Sequence, residues 1–88
     1  MNNKIALSSL AMDLKRVALG YHRGSFIVAN RFLEEVLKRR EEINKTSPKP
    51  YLVRFLKDID KLKIERDSMK KAEDALLYSI LFQNAALK

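Results

Sequence analysis

Only two glycines, Gly20 and Gly24, and two prolines, Pro48 and Pro50, occur in the 88 residues. So little turn-forming material leaves helix as the class that fits, because helices need the fewest loops. The apolar pattern agrees. Leu7, Leu10, Leu14, Val17 and Tyr21 recur three or four apart, and beyond the glycines Phe26, Ala29, Leu33, Val36 and Ile43 continue with a small change of register. This spacing paints one stripe on a helix of 3.6 residues per turn and does not alternate as a strand would.

The strongest interruption is Asn44-Lys45-Thr46-Ser47-Pro48-Lys49-Pro50. Its prolines lack the amide hydrogens that a helix interior uses and bias their predecessors toward extended backbone. The sequence therefore predicts an all-α fold in a single domain over residues 1–88. A first helix spans about 4–44, a turn 45–50 and a second helix about 51–87, with Pro50 suited to the first helical position. Leu52, Phe55, Leu56, Ile59, Leu62, Met69, Ala72, Leu76, Ile80 and Leu87 form the second stripe. Unbroken, that helix would be roughly 55 Å long.

Two long helices joined by so short a turn form an antiparallel hairpin. Setting Asn44 against Tyr51 places Ile43 opposite Leu52, Val36 opposite Ile59 and Leu33 opposite Leu62. The same register brings Gly20 opposite Ala75 and Gly24 opposite Ala72 or Lys71. Two readings of the glycines follow. Either they let two backbones approach over small residues in a continuous or kinked helix, or they break it, with Ser25 as N-cap of a new one. Each glycine costs a helix interior ~1 kcal/mol relative to alanine, which keeps the break in play.

Residues 5–19 and 75–87 are apolar around most of their circumference, and a two-helix hairpin covers only one side of each. The uncovered side needs a partner, because a soluble monomer tolerates only a few hundred Å² of contiguous apolar surface. The simplest expectation is a homodimer forming a four-helix bundle through Leu7, Leu10, Leu14, Val17, Leu77, Tyr78, Leu81 and Phe82. A compact monomer made by breaking both long helices is the competing arrangement.

Eighteen Lys and Arg against eleven Asp and Glu give a net charge of +7. Most of it gathers at the turn end, where Lys38, Arg39, Arg40, Lys45, Lys49, Arg54 and Lys57 face only Glu41 and Glu42 within residues 38–57. These seven are candidate anion-binding residues for nucleic acid or an acidic protein. Their plainer meaning is a solvated, ion-paired surface. Between Asp58 and Asp74 the signs alternate at helical spacings such as Asp67 to Lys71, the pattern of an exposed helix face.

Cysteine is absent, which excludes disulfides and thiolate zinc sites. No apolar run approaches the ~20 residues of a membrane span, so a cytoplasmic protein with no membrane partner is expected. His22 is the sole histidine, and no Glu-x-x-His spacing exists, so neither a metal site nor a cofactor is expected. Arg16 and His22, five residues apart, resemble the Arg-x(4-6)-His motif of the HEPN ribonucleases, helical bundles that often pair their active sites across a dimer. The resemblance spans seven residues and has Val17 where a polar residue commonly follows the arginine. It implies that Arg16 contacts phosphate and His22 acts on the ribose 2′-hydroxyl. The chain as a whole reads instead as a non-catalytic oligomerisation, protein-interaction or regulatory module.

Overall fold

A computed structural model describes residues 3–46 and 49–87. Its elements are α1 (Asn3–His22), α2 (Phe26–Asn44), α3 (Pro50–Asp58), α4 (Asp60–Ile64) and α5 (Ser68–Leu87). The all-helical class holds, and no strand occurs among the described residues. Ser47 and Pro48 of the expected turn lie outside them. Pro50 takes the first position of α3, and Lys49 N-caps it. Continuity is where expectation and structure part, because both predicted long helices are broken.

The first break is at Gly24. Its φ of +77° lies in the left-handed region, where an L side chain crowds the following carbonyl. Ser25 N–H donates to the Gly20 carbonyl at 2.8 Å, and Gly24 N–H donates to the Tyr21 carbonyl at 3.2 Å. That reciprocal pair is a Schellman motif, with Gly24 as the left-handed residue that satisfies the last carbonyls of α1. The chain then reverses. Ser25 N-caps α2 through its carbonyl, which accepts the Ala29 N–H at 3.0 Å, and makes no side-chain capping bond.

Because α2 turns back along α1, the small-residue contact forms between those helices. A Cβ built on Gly20 would stand 2.8 Å from the Ala29 Cβ and 3.0 Å from its Cα. Gly20 thus packs on Ala29, not on Ala75 as the hairpin register predicts. Gly24 corrects that register too: it is exposed, with nothing within 4 Å of a would-be Cβ, and so needs no facing Ala72. Ala72 and Ala75 are nevertheless buried, on α5.

The second break, Glu65-Arg66-Asp67, has no glycine or proline to announce it. Glu65 is extended at φ −69° and ψ 129°. Its Oε1 accepts the backbone N–H groups of Arg66 and Asp67, both at 3.1 Å. Asp67 Oδ1 then accepts the N–H of Met69 at 3.0 Å and of Lys70 at 3.3 Å, capping α5. A cap of this type contributes about 1 kcal/mol. Asp67 therefore serves backbone amides and makes no charge pair with Lys71. A milder irregularity separates α3 from α4 at Ile59, which keeps helical dihedrals.

The two breaks lie side by side: Tyr21, Phe26 and Asn30 line one shallow cleft together with Arg66, Ser68 and Lys71. The long hairpin is in effect folded in half there. Its greatest extent is 34 Å, against the roughly 55 Å of an unbroken second helix. α1 lies between α2 and α5, antiparallel to both. Folding over lets α2–α4 cover apolar surface that a straight hairpin would leave bare. One core results, with Leu10, Leu14 and Val17 of α1, Val36 and Ile43 of α2, Leu56 of α3, Ile59 at its junction with α4, Leu62 of α4 and Phe82 of α5 all inside it. Each such side chain contributes ~1.5–3 kcal/mol by leaving water.

Candidate functional site

Folding in half redraws the surface available to a partner. Of the eight side chains expected at a dimer interface, Leu7, Leu10, Leu14, Val17 and Phe82 are buried in the chain's own core. Tyr78 and Leu81 are partly buried, and Leu77 alone is exposed. The reason is the pair of breaks, which brings α2–α4 onto the stripe that a straight hairpin would offer to a second chain.

What stays open is the opposite face of α1 and α5. Met12 and Leu19 on α1 and Met69, Leu76 and Ile80 on α5 remain between 42 and 54% exposed. They line two adjoining clefts between the helices, which share Lys15 and Leu76. Ala11, Ala18, Ala72 and Ser79 also line them, and these small side chains keep the floor low enough to make a groove. The pattern is present in the sequence as the spacing of seven from Met12 to Leu19 and from Met69 to Leu76. It is hidden there because the neighbouring positions are apolar as well.

Besides Ser79, the polar groups at the groove are Lys15 and His22 from α1 and Glu73, Gln83 and Asn84 from α5. Neither Lys15 nor Glu73 forms an ion pair among the described residues. The groove thus carries an apolar centre with one free charge of each sign at its edges.

On the other side of α1, the polar residues are used to hold the fold. Asp13 is buried, a placement its sequence neighbours give no hint of. Its Oδ1 accepts from Arg16 Nη1 at 3.1 Å, and its Oδ2 accepts from Arg39 Nε at 3.3 Å across the α1–α2 contact. The Arg16 guanidinium also stands 5.5 Å from the centroid of Phe32, a cation–π contact between the same helices. Nearer the joint, buried Tyr21 donates its hydroxyl hydrogen to Asn30 Oδ1 and accepts one from Lys71 Nζ at 3.3 Å. Tyr78 on α5 has its pKa raised above the ordinary 10.0, by burial first and then by the carboxylates of Asp58 and Asp74.

The basic tip divides into two groups. Arg39 is taken by Asp13, while Arg40 donates to Asp60 and, at 3.0 Å, to Glu41, tying α2 to α4. Lys38 is only loosely held by Glu35 at 3.9 Å. Lys45, Lys49, Arg54 and Lys57 are exposed and have no carboxylate partner among the described residues. Tyr51 lies among them in the chain and is 46% exposed.

Arg16 and His22 belong to different surfaces. Arg16 lies toward α2 with Asp13 and Phe32, whereas His22 lines the groove toward α5 with Leu19 and Met69. The fold does not join them in one cleft within the chain. Among the described residues, no three His, Cys, Asp or Glu side chains come together in a group that could hold a metal ion. Nor is any helix long and apolar enough to cross a membrane. Compared with protein-family models, curated proteins and solved structures, the chain matches none.

Proposed function

We propose that this chain is a non-catalytic self-association module whose α1–α5 groove takes the same groove of a second copy. The observation that carries the reading is the row of five half-exposed apolar side chains, Met12, Leu19, Met69, Leu76 and Ile80, on two antiparallel helices. Two copies related by a two-fold axis would bury these rows against each other as a four-helix layer. Lys15 and Glu73 add complementarity, since each copy offers both an unpaired cation and an unpaired anion at the edges of the same apolar surface.

The expected strength is modest. Completing the burial of a half-exposed apolar side chain contributes ~1 kcal/mol, so ten of them give roughly 10 kcal/mol before the cost of association. That cost is ~4–15 kcal/mol, which leaves at most ~6 kcal/mol and places the dimer at tens of micromolar or weaker. The test is light scattering or sedimentation over a concentration series reaching several hundred micromolar. A concentration-dependent dimer is expected, abolished by Leu76→Glu or Ile80→Lys with helix content unchanged. A monomer throughout that series rejects the proposal.

A further inference from the structure

We infer that the basic tip is a binding surface for single-stranded nucleic acid, with Lys45, Lys49, Arg54 and Lys57 on the phosphates and Tyr51 beneath a base. The inference starts from which cations the fold uses for itself. Arg39 and Arg40 are withdrawn into ion pairs with Asp13, Asp60 and Glu41. Nearby Lys61 is matched by Asp58 at 3.2 Å. The four that remain are exposed and unmatched, so they repel one another without contributing a structural contact.

Their position makes the surplus more pointed. Arg54 and Lys57 stand three residues apart on α3 and therefore on one side of it, and no acidic residue stands in its first turn. An anionic partner would relieve the repulsion between them.

The chemical class of that partner follows from what else the surface offers. An amphipathic helix that enters a bilayer needs an open apolar face. On α3, Leu52 and Leu56 are buried in the core and Val53 and Phe55 are half-buried, so no apolar face stands open on it. Tyr51 is the exposed aromatic of this helix, three residues before Arg54 and therefore on the same side. A flat ring beside guanidinium and ammonium groups suits a polymer that alternates phosphates with unpaired bases. An acidic peptide would use the charges but have no counterpart for the ring.

The experiment is fluorescence anisotropy of the full chain with a short labelled single-stranded RNA, the matching single-stranded DNA, the duplex and a polyglutamate peptide. Titrations run at about 50 mM and about 200 mM salt. Four phosphate contacts on a single strand give a slope of about −3 in log K against log salt, so the fourfold rise in salt should weaken binding about fifty-fold. Tyr51→Ala should weaken single-strand binding at least about fivefold, the lower end for loss of one stacked base. The paired reversal Arg54→Glu with Lys57→Glu should abolish binding, whereas Arg31→Glu with Arg66→Glu, of equal charge change but away from the tip, should cost far less. Lys45→Gln with Lys49→Gln, milder and exposed, should roughly halve the salt slope and guards against a reversal that disturbs folding. The inference is overturned by absence of saturable binding at the lower salt, by equal losses in the two reversal pairs, by tighter binding of the duplex or of polyglutamate, or by an unchanged affinity in Tyr51→Ala.

Discussion

Gly24→Ala is expected to destabilise the fold by about 1 kcal/mol, and the sign carries the information. At φ +77° an alanine Cβ meets the following carbonyl, which costs about 1–2 kcal/mol. The smaller conformational freedom of alanine in the unfolded chain returns about 0.4–1 kcal/mol. No packing contribution enters, because no atom lies within 4 Å of the new Cβ. A glycine inside a continuous helix would behave in the opposite way, with alanine stabilising it by about 1 kcal/mol. The folded and straight hairpins are thus separated by about 2 kcal/mol in this one measurement.

Urea and thermal melts followed by far-ultraviolet circular dichroism read the difference directly. For a domain of this size, 1 kcal/mol corresponds to a midpoint change of about 4–8 °C. Gly24→Ala should lower the midpoint with the urea slope unchanged, and Gly24→Asn should lower it less, since asparagine enters the left-handed region more readily. A raised midpoint for Gly24→Ala would refute the capped break and, with it, the fold in half.

Three further outcomes follow from the same contacts. Asp13→Ala should cost about 2 kcal/mol in urea unfolding by leaving Arg39 without its carboxylate; the figure falls short of the ~3–5 kcal/mol of a fully buried pair because Arg16 is 48% exposed and can rehydrate. A loss no larger than that of an exposed ion pair would remove Asp13 from the α1–α2 contact. Asp67→Ala should cost about 1 kcal/mol and speed hydrogen exchange at the Met69 and Lys70 amides, with Asp67→Asn retaining most of the stability; unchanged exchange would contradict the cap. Tyr78 has a folded pKa above its ordinary 10.0, so the folded state holds a proton that the unfolded state gives up. Its contribution is complete below the ordinary value and is lost as pH rises through the folded one. Melting temperature should fall across that alkaline range and Tyr78→Phe should shallow the decline, while an identical slope in the variant would exclude Tyr78 as its source.

The sequence by itself determined the class and the spacing of this protein. Scarce Gly and Pro with a three-to-four apolar period leave helix as the consistent answer, and Pro48 and Pro50 mark the turn. The residues paired by the hairpin register, Ile43 with Leu52, Val36 with Ile59 and Leu33 with Leu62, are all buried in the one core. Local chemistry also raised the break at Gly24, where glycine alone adopts the required dihedral without strain. It did not decide for it, because the same residue fits a straight helix at a cost of ~1 kcal/mol.

Tertiary structure decided the rest. The Glu65–Asp67 break is built from carboxylates bonding to backbone amides, a choice that Asp and Glu make equally well in solvent on a continuous helix. Only opposite Gly24 does it let the hairpin double over. That doubling chose which apolar side chains are core and which are surface. Leu10 and Met12 are both apolar and two residues apart, yet one is fully buried and the other 54% exposed. Periodicity assigns residues to a helix face, but which of several apolar faces is covered depends on where the other half of the chain lands. The same holds for the cations of the tip, whose charges are read from sequence while their pairing, with Asp13 and Asp60 from distant turns, is made only by the fold.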